Sequence, residues 1–256
     1  MNKQQLDHLF DLTGRVAIIT GGSRGIGRSI AEGYALAGAK VVIASRKAEA
    51  CQETVAAIEA AGGEAFAVPT HMGELDQLKR LADATLERFG AIDILVNNAA
   101  NALAMPFAQM TPEAWEKSLS VNLRGPVFLT QYCLPGLEKS AHASVINVSS
   151  AGAFLFSQFT HMYAAAKAGL LSYVRSNAAE LAPLKIRVNG IAPGTIDTDM
   201  VRNNSPEAQE AMAKAALMRR AAHPDELIGL ALFLASDASS FVTGATFHID
   251  GGLVPR

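Results

Sequence analysis

The chain has 256 residues, half of them hydrophobic, and a formal net charge of −2 at pH 7. That length suits one large α/β domain rather than two, and the near-neutral charge gives no field for holding nucleic acid or an anionic membrane. The two cysteines, Cys51 and Cys133, have no metal or redox spacing, the opening MNKQQLDHLFDLTGR lacks the apolar core of a signal peptide, and no run reaches membrane-spanning length; a cytoplasmic protein without a metal site is expected.

Residues 1–13 read as an N-terminal extension. The first strand candidate, 16–20, runs into TGGSRGIG (Thr20 to Gly27) and then a helix over 27–37. A glycine-rich turn between a buried strand and a helix start lets backbone N–H groups approach a pyrophosphate, with the helix dipole helping. Gly21, Gly25 and Gly27, with Ser23, Arg24 and Ile26 between them, are therefore expected to bind a dinucleotide cofactor. The second strand candidate, 40–45, ends in Ser45-Arg46-Lys47, the place that faces the adenosine ribose in dinucleotide folds. A carboxylate there would accept from both ribose hydroxyls and repel a 2′-phosphate. Serine and arginine, with Arg24 in the turn nearby, instead suit a phosphate through the forked guanidinium. NADP(H) is the expected cofactor and NAD(H) the alternative; the plainer reading of Arg46 and Lys47 is the solvated start of a helix.

Further strand candidates follow at 64–70, 93–98, 144–150, 186–193 and 246–250, separated by helical stretches at 47–61, 74–89, 111–138, 161–182 and 224–235. Thr111 caps and Pro112 opens the fourth helix of the chain, and SPEAQEAMAKAA from Ser205 repeats that signal. The strand runs are continuously apolar, as strands buried on both faces are. This alternation predicts right-handed crossovers in a single doubly wound Rossmann-type α/β domain over 1–256. Its seven-stranded, mostly parallel sheet would carry helices on both faces, with 195–222 as a substrate-side insertion. The final LVPR reads either as a native tail or as the remnant of a cleaved purification linker.

Within HMYAAAKAG, Tyr163 and Lys167 lie four apart, on one face of a helix. A surface aromatic beside a snorkelling lysine is the plain reading. The chemical one starts from a carbonyl that becomes an alkoxide on accepting hydride and needs a proton and a hydrogen bond as charge develops. A tyrosine is about three pKa units too weak an acid for easy transfer at neutral pH, and a lysine one turn away is expected to favour the phenolate and lower its pKa. Ser150, at the end of its strand, would place a hydroxyl in the crevice where ligands bind in open α/β sheets.

The glycine turn, NNAA at 97–100, Asn122, Ser150, Y-x-x-x-K and APGTIDTDM, in this order, make the chain resemble the short-chain dehydrogenase/reductase family from about Gly14 to Gly252, and within it the 3-oxoacyl-carrier-protein reductases. The resemblance implies a ketone–alcohol oxidoreductase with Asn122, Ser150, Tyr163 and Lys167 as the catalytic set. Ser150 is preferred to Ser149 because Tyr163 follows it by thirteen residues, the family's usual separation. Lys167 would also hold the nicotinamide ribose, and Asn122 would anchor a water relaying protons to it. Asn98 and Ala99 would line the adenosine ribose, and Pro193, Gly194, Ile196 and Thr198 would seat the nicotinamide. The helix at 161–182 and the one before it would build a dimer interface, giving a homotetramer or homodimer.

Two positions depart from the family pattern. Ala100 stands where it usually has glycine, beside a substrate-bordering loop. His71 and Met72 stand where an adenine-contacting aspartate is usual; a neutral imidazole nitrogen can accept the adenine amino proton in its place. Leu103, Met105, Phe154, Leu155, Phe156 and Met162 are expected to line an apolar pocket for a small-molecule ketone or acyl chain. Arg202, Arg219 and Arg220 would meet a carrier phosphate. His161 is close to Tyr163 in sequence but required by no step. Reduction of an activated C=C bond and a regulatory dinucleotide-binding role, which the fold permits, are the competing readings.

Overall fold

The computed structural model describes residues 2–156 and 158–254; Pro255 and Arg256, the end of the LVPR tail, lie outside them. Seven strands, β1 (Val16–Thr20), β2 (Lys40–Ser45), β3 (Glu64–Pro69), β4 (Ile94–Asn97), β5 (Ser144–Val148), β6 (Arg187–Pro193) and β7 (Thr246–Ile249), form one sheet in the order β3-β2-β1-β4-β5-β6-β7. The sheet is wholly parallel among the described residues, where the sequence suggested mostly parallel. Chain order reverses between β1 and β4, which opens a crevice at the carboxyl ends of these strands.

Each central strand feeds two cores because successive side chains point to opposite faces. Ala17 and Ile19 of β1 and Val41 and Ile43 of β2 pack in one core with Ile30 and Tyr34 of α2 (Gly25–Leu36), Cys51 and Ile58 of α3 (Ala48–Ala60) and Leu234 of α10 (Ile228–Ala235). Ile18 and Val42 face the other core, with Leu78 of α4 (Leu75–Phe89), Leu129 of α6 (Gly125–Leu137) and Val174 of α7 (His161–Leu181). The Tyr34 hydroxyl, fully buried, donates to the Ala231 carbonyl at 2.8 Å, which removes the cost of an unpaired polar group. No helix among the described residues is long and apolar enough to cross a membrane.

Three features differ from the sequence reading. The N-terminal extension contains a short helix, α1 (Lys3–His8), with Asn2 and Gln5 forming a reciprocal capping box. The expected helix 111–138 is instead α5 (Pro112–Leu119), a π-helical turn over Ser120–Arg124, and α6. Pro126 has no N–H for the Asn122 carbonyl four residues back, so the α-helical ladder is broken there and the turn widens. Between β6 and α10 a short helix that the sequence did not signal, α8 (Asp199–Arg202), precedes α9 (Pro206–Ala215), which Ser205 caps as expected.

Candidate active site

The glycine turn is built by close approach. Gly21, with φ +66°, donates its N–H to the Ala44 carbonyl at 2.7 Å, tying the turn to the end of β2. A Cβ on Gly27 would lie 2.3 Å from the Gly21 carbonyl oxygen and 2.4 Å from Asn98 Nδ2. Asn98 Nδ2 donates to the Thr20 carbonyl at 2.8 Å, and the Asn98 and Ala99 N–H groups both donate to Thr20 Oγ1. These two residues therefore brace the turn from β4. Ser23 is buried and Ile26 packs on the core, leaving backbone N–H groups at the start of α2 as the phosphate-facing surface.

At the ribose end, Arg46 is exposed and has no partner among the described residues, beside half-buried Ser45. Arg24 is engaged: its Nη1 lies 2.7 Å from Asp199 Oδ2. His71 also differs from expectation. Its Nδ1 accepts the Gly73 N–H at 3.1 Å, which leaves the proton of the neutral ring on Nε2. The imidazole therefore offers a donor rather than an acceptor for an adenine amino group. The Met72 side chain is buried in the core, so only its backbone can face a ligand.

The chemical end comes together at the carboxyl end of β5. Ser149 Oγ donates to the Lys167 carbonyl at 2.9 Å and is consumed in docking α7. Ser150 Oγ accepts the Gly152 N–H at 3.0 Å and is near enough to the Tyr163 phenol to favour its ionised form. Lys167, 1% exposed, has Nζ 5.7 Å from the Tyr163 ring centre and donates to the Val148 carbonyl at 2.7 Å.

The electrostatics reverse the expected direction. Burial raises the half-buried Tyr163 phenol above its ordinary value despite the opposing Ser150 hydrogen bond, and burial lowers Lys167 to about 7. A low-dielectric site penalises both charged forms, so the lysine sheds its proton before the phenol can ionise. The arrangement holds a neutral phenol ready to give a proton, a serine hydroxyl beside it, and an amine that exchanges a proton near neutrality.

Asn122 sits in the π turn, fully buried. Its Oδ1 accepts the Asn101 N–H at 3.0 Å, and its Nδ2 donates to the Asn101 carbonyl at 2.8 Å and the Ser118 carbonyl at 3.0 Å. The side chain thus staples the loop after β4 to α5, leaving its main-chain carbonyl, which lacks the α-helical donor, as the group that can hold a water. Asn101 was missed by the sequence reading; the asparagines at 97, 98 and 101 were the available signal.

On the substrate side, Pro193 ends β6 in buried surroundings, and Gly194 approaches Asp250 so closely that a Cβ would lie 2.7 Å from its Cα. Ile196 is buried and pairs with Ala222, and Thr198 Cγ2 lies 3.0 Å from the position a Cβ on Gly25 would take. Phe154, Phe156, Phe107 and Phe159 are exposed, and Met105 N–H donates to the Phe159 carbonyl at 2.8 Å. Leu103, Met105 and Leu155 are half-buried, whereas Met162 is wholly in the interior and lines no open surface. Of the three arginines, Arg202 is held by Asp197 at 2.7 and 2.9 Å and Arg220 by Glu226 at 2.7 and 2.8 Å. Only Arg219 is exposed without a partner among the described residues.

Known proteins are similar to this chain in sequence and fold. A family model described as enoyl-(acyl carrier protein) reductase matches residues 21–254. A 3-oxoacyl-[acyl-carrier-protein] reductase of Synechocystis is 36% identical over 245 residues, 95% of this chain and 98% of the relative. The human dehydrogenase/reductase SDR family member 4 is 36% identical over 248 residues, 96% of this chain and 89% of that protein. The Pseudomonas aeruginosa RhlG/NADP active-site complex superposes with a TM-score of 0.91 at 37% identity, over 96% of this chain and 98% of that one. The chain belongs to the short-chain dehydrogenase/reductase family and is an oxidoreductase acting on CH–OH and C=O groups.

Proposed function

We propose that the protein interconverts a ketone and a secondary alcohol with NADP(H), and that the substrate is apolar, a 3-oxoacyl compound being the best fit. The observation that carries this is the buried Lys167 amine 5.7 Å from the Tyr163 ring, one helical turn away, with the Ser150 hydroxyl beside the phenol. The residues suit the cofactor: the turn at Gly21 and Gly27 has no room for a Cβ, and Arg46, a guanidinium without a partner among the described residues, follows β2. When bound, NADPH supplies the hydride that reduces the carbonyl carbon.

Tyr163 gives its phenolic proton to the carbonyl oxygen, and Ser150 donates a hydrogen bond to the same oxygen as charge builds on it. Lys167, lowered to about 7 by burial, passes a proton back to the phenolate and is recharged through a water held at the Asn122 carbonyl. A phenol that is neutral at rest suits a site that penalises charge, because the buried phenolate exists only until Lys167 returns a proton to it. The exposed phenylalanines near Ser150 and Tyr163, with no carboxylate or arginine in 101–107 or 151–162, favour an apolar substrate.

The segment 195–222 serves as the substrate-side part of a single catalytic domain. Assembly is a homotetramer or homodimer through α7 and the helix before it, supported by family resemblance. A cytoplasmic location fits two free, buried cysteines. The test is a panel of ketones, alcohols and enoyl thioesters followed by NADPH absorbance. Turnover of ketones and of the reverse alcohols supports the reading, turnover of enoyl thioesters alone replaces it with C=C reduction, and binding without turnover of any member leaves the regulatory role.

A further inference from the structure

Asp199 opens α8 directly after Thr198, the residue packed against Gly25 of the glycine turn. Its Oδ2 lies 2.7 Å from Arg24 Nη1, an ion pair between residues 175 apart in the chain. Both side chains are more than half or about half exposed, at 69% and 50%, so the pair bridges the mouth of the crevice rather than its interior. Neighbouring charges do not relieve Asp199 of this role, because Arg202 in α8 commits its fork to Asp197. The two guanidinium groups offered to a 2′-phosphate thus differ: Arg46 has no partner among the described residues, and Arg24 is held by a carboxylate.

We propose that Asp199 is a coenzyme-specificity residue, competing with the cofactor's 2′-phosphate for Arg24. The inference rests on the NADP(H) reading above. The carboxylate occupies one guanidinium donor, Nη1 at 2.7 Å, offsets the arginine's charge and holds the fork toward α8. A 2′-phosphate therefore competes with Asp199 for Arg24, while a ligand with free ribose hydroxyls does not. The population of free Arg24 scales the apparent affinity for the phosphorylated ligand alone. Because Asp199 begins α8 of the substrate-side segment, the same exchange frees that segment from the glycine turn. By linkage, whatever holds α8 away from Arg24 strengthens 2′-phosphate binding by the same factor.

The experiment is a double-mutant cycle by titration calorimetry on the full chain, using adenosine 2′,5′-bisphosphate and 5′-AMP as probes for the parent, Asp199→Asn, Arg24→Ala and the double variant. Asp199→Asn is expected to tighten the bisphosphate roughly two- to fivefold, the range an exposed ion pair supports, and to leave 5′-AMP unchanged. In the Arg24→Ala background the substitution is expected to do nothing. Equal tightening of both probes, persistence of the effect without Arg24, or no effect in the parent overturns the proposal while the coenzyme reading stands. If the parent binds the bisphosphate no more tightly than 5′-AMP, the coenzyme reading itself fails and takes the proposal with it.

Discussion

Replacing Lys167 by methionine is expected to make the cofactor-free protein more stable while abolishing its chemistry, with a pH dependence that identifies the cause. The lysine is 1% exposed, and burial lowers its pKa from the ordinary 10.5 to about 7. Between those values the unfolded chain binds a proton that the folded chain does not, so stability rises with pH through this window. The penalty is full below pH 7 and gone above 10.5. At about 1.36 kcal/mol per unit it amounts to about 5 kcal/mol at pH 6 and about 1 kcal/mol at pH 9.5. Methionine has similar length and no charge to desolvate, but it leaves the Val148 carbonyl, now 2.7 Å from Nζ, without its donor, a cost of about 1–3 kcal/mol. The net gain at pH 6 is then about 2–4 kcal/mol, shrinking by about 3 kcal/mol on going to pH 9.5. Urea unfolding of parent and variant at equal protomer concentration, without cofactor, measures both. A difference that stays constant across this range would refute the assignment of the low pKa to burial of this amine.

Gly27→Ala is expected to cost about 1–3 kcal/mol and to weaken NADPH binding, since its Cβ meets the Gly21 backbone at 2.3 Å; Gly229→Ala, where nothing lies within 4 Å, is expected to be neutral or slightly stabilising in the same melts. Ser45→Asp with Arg46→Ala is expected to reverse coenzyme preference, read as kcat/KM for NADPH against NADH with one substrate, because the new carboxylate accepts from the ribose hydroxyls and repels the 2′-phosphate. A parent that already prefers NADH would make Arg46 merely the start of α3. Sedimentation at micromolar concentration is expected to give a dimer or tetramer, and a 26.9 kDa species would exclude the proposed assembly.

The strands were legible because doubly covered parallel strands write themselves as continuous apolar runs, and VAIIT at β1 is buried along its whole length. Tyr163 and Lys167 were legible because helical spacing is a local rule. What escaped depends on distant parts of the chain. The direction of the Tyr163 shift follows from how deeply α7 is covered, which no spacing reports. The Arg24–Asp199 pair and the Asn101–Asn122 staple join segments far apart in sequence. The π turn was the exception: Pro126 inside the predicted helix already marked a lost donor at Asn122.

The most direct measurement of the central claim is turnover by Tyr163→Phe, made together with NADPH binding by the same preparation. The substitution removes only the phenolic hydroxyl and keeps the ring beside Lys167. Binding is expected to persist and turnover to fall by at least roughly 10²-fold, the low end for losing a general acid. Turnover near that of the parent would contradict the assignment of proton transfer to Tyr163.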